Sequence, residues 1–172
     1  MNYDLLSQTV ATYVRDFFKQ KEPGIFVYHN IRHTEEVVAA ANKIGNHYQL
    51  GESDFFIITT AAWFHDTGYY IDPLNHERSG ADLAAKFLEQ QQVPEPLIVQ
   101  VRQCILATHM PQDPKNELEA MVCDADLFHL GTDDFKERNK SMREEFSKLK
   151  GIPISKQQWR LSTLAFLEGH HY

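Results

Sequence analysis

The chain has 172 residues, 42% of them hydrophobic, and a formal charge of −7 at pH 7. That length suits one domain, 1–172, with a substantial buried core. The negative balance argues against a surface that coats nucleic acid, but it does not exclude a phosphate-bearing substrate, because bound cations reverse a local field.

The first predicted helix covers Asp4–Gln20, with Leu5, Val10, Val14, Phe17 and Phe18 turned inward. Pro23 and Gly24 interrupt the chain after it. A second helix is expected over His33–Tyr48. The third lies in Asp54–Tyr70, DFFIITTAAWFHDTGYY, which is apolar on nearly all faces and contains no proline. Such a segment reads as a buried helix, with Gly68 as its stop signal and Phe55, Phe56, Trp63 and Phe64 in the core. It is too short, and too interrupted by threonines, to span a bilayer. Asp72, Pro73 and Asn75 mark a loop. The fourth helix is expected over His76–Gln91 and the fifth over Pro94–Thr108, with Pro94 near the first turn. Pro111 and Pro114 make Met110–Lys115 a loop. The sixth helix covers Glu117–Leu130, ended by Gly131, and the seventh Asp133–Lys150, ended by Gly151. The last begins at Ser155, which forms a capping box with Gln158, and runs to Leu167. No segment alternates with period two and no internal repeat is visible. The expected class is all-α, about eight helices around the buried third one.

Cys104 and Cys123 lack CxxC spacing and read as reduced and structural. Met1–Gln20 is unlike a signal peptide, so the cytoplasm is the expected location, with no membrane partner.

Histidines and carboxylates on faces that ought to be apolar carry the chemistry. His65 and Asp66 sit at the end of the buried helix, where they are costly unless paired or bound to a metal. His33 begins a stripe with Val37, Ala40 and Ile44. His76 does so with Gly80, Leu83 and Phe87, and His109 continues the row Val101–Ile105. Asp126 lies among Met121, Val122, Ala125 and Leu130. One core-facing histidine is ordinarily a hydrogen-bonded structural residue. Four further ligand-type side chains around a buried His-Asp pair point to a metal site. Imidazole and carboxylate suit Mn, Fe, Co, Ni, Zn or, less well, Mg, and the absence of cysteine argues against structural zinc.

The segments YHNIRHT (28–34), AAWFHDTGY (61–69), HERSGADLA (76–84), ATHMP (107–111) and DADL (124–127) resemble the HD-domain superfamily of metal-dependent phosphohydrolases. The resemblance spans residues 28–131, with C-terminal helices over 133–168 beyond it. It implies an HD-type helical bundle in which His33, His65, Asp66 and Asp126 hold one divalent ion. His76 and His109 match the extra histidines of the two-metal branch, with Asp66 bridging. Periodicity does not decide between Asp124 and Asp126; the Ala-Asp-Leu context resembles the family's metal aspartate and favours Asp126.

The resemblance implies hydrolysis of a nucleotide or other small phosphate ester by metal-activated hydroxide, with His65 and Asp66 at the catalytic centre. His29, Arg32 and Arg78 are the candidate substrate contacts, Arg78 because a guanidinium offers a planar fork to phosphate. His129 reads as structural or as a support behind the metal ligands, with a substrate contact as the alternative, and His47, His170 and His171 read as inert. Asp72–Asn75 and Met110–Lys115 are the candidate lid loops. The apolar side of the last helix, with Trp159, Leu164, Phe166 and Leu167, suits either the core or a second subunit. Two other readings compete. One is a di-iron HD-type oxygenase, which uses a similar six-ligand pattern. The other is a non-catalytic signalling module, disfavoured because the ligand set is intact.

Overall fold

The computed structural model describes residues 1–21 and 24–170; Pro23 and His171 lie outside the described residues. Eight α-helices and no strand are present among them: α1 (Tyr3–Lys19), α2 (Ile31–His47), α3 (Glu52–Phe64), α4 (His76–Gln90), α5 (Glu95–Ala107), α6 (Glu117–Asp126), α7 (Phe135–Lys150) and α8 (Lys156–Gly169). Short 3-10 turns occupy Thr67–Tyr70, Pro73–Asn75 and Phe128–Gly131. No helix among the described residues is long and apolar enough to cross a membrane. The chain forms two compact units, one from the described residues of 1–22 and 29–128, the other from those of 23–28 and 129–172.

The first unit is organised on α3, which packs against α1, α2, α4, α5 and α6. Every residue from Phe56 to Phe64 is buried, as a helix apolar on all faces requires. Thr59 returns its hydroxyl to the Phe55 carbonyl at 2.8 Å, which satisfies it inside the helix. Tyr3 packs on Phe56, and Tyr13 lies between Phe64 and Phe87. On α1 the inward stripe is Tyr3, Leu6, Val10, Val14 and Phe17, with Phe18 beside it; Leu5 is 60% exposed. Leu5 stands one residue, about 100° of helix, off that stripe, so its inward assignment from sequence was misplaced by one position.

Helix α3 also ends earlier than its apolar pattern suggests. The helix closes at Phe64, with His65 as its cap, and Thr67 takes up the Phe64 carbonyl through its hydroxyl at 2.7 Å. Gly68 is not a left-handed stop residue. A Cβ built on it would lie 1.8 Å from the His76 carbonyl oxygen and 2.8 Å from the Gly80 amide nitrogen. Gly80 has the reciprocal constraint: a Cβ there would stand 2.8 Å from the Phe64 carbonyl oxygen. The turn after α3 and the first turns of α4 therefore meet backbone to backbone, which fixes His65 and Asp66 relative to His76.

Gly151 does end α7 in the left-handed conformation, φ 64°. The Ser155–Gln158 capping box opens α8. In this second unit Glu145 is buried and accepts from the Tyr28 amide at 2.7 Å, and the Trp159 indole donates to Asn139 at 2.7 Å. Leu161, Leu164 and Leu167 are exposed.

Candidate metal centre

Four donors converge in the first unit. His33 lies in the first turn of α2, held there by the Asn30 side chain, which accepts from the amides of Arg32 and His33 at 3.0 and 3.4 Å. His65 caps α3, Asp66 follows it, and Asp126 is the last residue of α6. His33 Nε2 is 3.2 Å from Asp126 Oδ1 and 3.4 Å from Asp66 Oδ2. His65 Nε2 is 3.1 Å from Asp66 Oδ2 and 3.5 Å from Asp126 Oδ1.

His65 Nδ1 donates to the Ala62 carbonyl at 2.8 Å. That bond fixes the tautomer and leaves Nε2 with its lone pair. His65 Nε2 and Asp66 Oδ2 are buried and have no hydrogen-bond partner among the described residues. Buried polar atoms are rarely left in that condition. Donors about 2.1 Å from a divalent transition ion stand about 3.0–3.5 Å from one another, and the separations here match. The residues fit a divalent cation, which would take both lone pairs.

The same packing sets the local charge balance. Burial works against a charged His65, but the carboxylates of Asp66 and Asp126 outweigh it and push its pKa well above the ordinary imidazole value. Burial likewise opposes the charge on Asp66 and Asp126. The neighbouring histidines prevail, chiefly His65 at Asp66 and, at Asp126, the hydrogen bond with His33 together with the nearby His65, and hold both carboxyls below the usual range. Proton and metal ion compete for the same imidazole lone pair.

A second cluster stands at the start of α4. Glu77 Oε1 lies 2.9 Å from His109 Nδ1 and 3.3 Å from His76 Nε2. Burial lowers the His76 pKa. His109 departs from the sequence expectation: α5 stops at Ala107, Thr108 turns its hydroxyl onto the Ile105 carbonyl at 2.8 Å, and the His109 side chain is 69% exposed rather than in line with Val101 and Ile105. His29 is buried and stacks on Tyr69 with ring centres 3.9 Å apart, and Tyr69 stacks on His76 at 3.8 Å. Three rings thus form a pile from the entry of α2 to the start of α4.

Of the remaining candidates, Arg32 pairs with Glu36 along α2 at 3.1 Å and is largely exposed. Arg78 is exposed on α4 and makes no ion pair among the described residues. His129 belongs to the second unit, where its ring meets the Tyr28 hydroxyl at 3.4 Å. Asp124 contributes charge that helps keep the Cys123 thiol protonated. Sequence reasoning missed two residues. Glu77 was signalled by a stripe of its own, Glu77, Ala81, Ala84 and Leu88, all buried. Tyr69 had no such signal, since its role depends on a 3-10 turn placing it between two histidines from different helices.

Comparison with known proteins adds a family. Residues 30–131 match the family model of the HD domain. A crystal structure of a predicted HD superfamily hydrolase from an uncultured Thermotogales bacterium is similar at a TM-score of 0.63 and 19% identity, over 93% of this chain and 86% of that one. At that identity the likeness is one of fold. No curated protein matches the sequence.

Proposed function

The chain belongs to the HD-domain family, and on that footing we propose that it is a metal-dependent phosphohydrolase acting on a small phosphorylated substrate, nucleotides included. The observation that carries this reading is the convergence of His33, His65, Asp66 and Asp126, with His65 Nε2 and Asp66 Oδ2 buried and unpartnered. These four would hold a first divalent ion; His76 and His109 would serve a second, with Asp66 between. The ions supply a water of lowered pKa and positive charge for the phosphoryl oxygens, which lets an acidic protein accept an anion.

The chain's own residues do the positioning. The Ala62 carbonyl keeps His65 in the tautomer whose Nε2 is a donor of electrons. Asn30 holds the start of α2, and with it His33. Tyr69 keeps His29 and His76 in register by stacking on both. Arg78 is the leading candidate to meet a phosphate, because it is exposed and makes no ion pair among the described residues. Every group given a role comes from residues 29–126.

The test is a panel of phosphomonoesters, nucleotides and cyclic phosphodiesters, each run with Mn, Co, Ni, Fe or Mg. Phosphate or nucleotide release that depends on one of these metals and stops on chelation is expected. Iron-dependent oxygen uptake without release of phosphate would replace this reading with the di-iron oxygenase.

A further inference from the structure

Glu77 has an environment that a structural carboxylate does not need. It is 6% exposed, yet no lysine or arginine among the described residues pairs with it. Its polar neighbours are two imidazoles, His109 at 2.9 Å and His76 at 3.3 Å, both facing the same oxygen. A buried carboxylate with no lysine or arginine beside it is costly unless a cation shares the place.

The bond to His109 has a definite sense. A carboxylate oxygen accepts, so the 2.9 Å contact puts a hydrogen on His109 Nδ1, and the neutral ring then carries its lone pair on Nε2. His109 lies past the end of α5 with most of its side chain in solvent, so neither its helix nor the core orients the ring. Glu77 does, from a buried position one residue after His76.

We propose that Glu77 is a positioning residue: it holds His109 in the Nδ1–H tautomer with Nε2 available, next to His76, and so prepares the pair to take a second divalent cation. Carboxylate–histidine–metal relays are built in this way. The proposal rests on the metal-centre reading above, and its test separates the two. In metal-free protein, nitrogen-15 NMR of the imidazoles reads the tautomer directly, without metal or turnover. His109 should be Nδ1–H in the wild type and in Glu77→Gln, which keeps an oxygen acceptor. It should revert to the Nε2–H form favoured by an unrestrained ring in Glu77→Leu.

Titration of the same proteins with Mn or Ni gives the second arm. Two ions per chain are expected in the wild type. Glu77→Leu should weaken the second by about 10–100-fold and leave the first unchanged. An Nε2–H His109 in the wild type, an unaltered tautomer in Glu77→Leu, or equal weakening of both ions would overturn the proposal. So would a single bound ion in the wild type. If the wild type bound no ion while the tautomers behaved as stated, the metal-centre reading would fail and the positioning of His109 would stand without its purpose. Circular dichroism and Tm identify any variant that fails to fold; should Glu77→Leu do so, Glu77→Ala, which also removes the acceptor, takes its place with the same expected outcomes, while Glu77→Gln keeps both the tautomer and the second ion.

Discussion

His65 and His109 each donate from Nδ1, and their surroundings differ in every other respect. His65 bonds to a carbonyl of its own helix, at Ala62, at the end of the buried run Phe56–Phe64. His109 bonds to a side chain on another helix, Glu77, from a position 69% exposed. The first cluster inherits its geometry from the core: moving His65 means moving α3. The second depends on one side-chain hydrogen bond and on the Tyr69 stack. A cluster set by the core therefore stands beside a half-open one, joined by the backbone contact between the turn after α3 and the first turns of α4.

Breaking the buried cluster should have the largest effect. Asp66→Ala removes the oxygen that faces both His33 and His65, so it should cost at least about 100-fold in turnover and empty both ion positions. Elemental analysis checks this, and equal metal content in variant and wild type would refute the bridging assignment. Next comes the contact that joins the clusters. Gly68→Ala places a methyl 1.8 Å from the His76 carbonyl oxygen and should destabilise by about 3 kcal/mol or more in urea unfolding. Gly80→Ala, at 2.8 Å from the Phe64 carbonyl oxygen, should cost about 1–3 kcal/mol. His109→Ala should sharpen the contrast. The residue is exposed, so stability should stay within about 0.5 kcal/mol of the wild type while one of two ions is lost.

The smallest effect concerns the thiols. Burial, aided by nearby carboxylates, pushes Cys104 and Cys123 up to about 12. Unfolded thiols release their protons near 9 and the folded ones do not, so the folded chain binds more protons above that pH. Stability gained from the neutral thiols is complete below about 9 and is lost as pH climbs toward 12. Urea midpoints should fall over that range, and iodoacetamide at pH 8 should leave both cysteines of the native protein unmodified.

What the sequence made legible follows the same division. The buried run of α3, the His65-Asp66 pair and the capping signals at Ser155 and Gly151 could be read because each is a local pattern with one physical meaning. The structure also brings Asp126 against His33 and His65, a choice that helical periodicity had left undecided. Leu5 and Gly68 were misread for opposite reasons. Leu5 is apolar but one position off its stripe, and Gly68 is small because another backbone lies against it rather than to end a helix. Tyr69 acts across elements, so nothing in its immediate neighbours in the chain announces it, and Glu77 is announced only by its place on the buried stripe with Ala81, Ala84 and Leu88.

The most direct measurement is the thermal unfolding of metal-free protein titrated with Mn, Ni or Co. If the four donors hold a cation, an ion at about 100 times its Kd adds about 2.7 kcal/mol and raises Tm by roughly 5–10 °C, and His65→Ala abolishes the shift. A wild-type Tm that stays constant across every divalent ion would contradict the account at its centre.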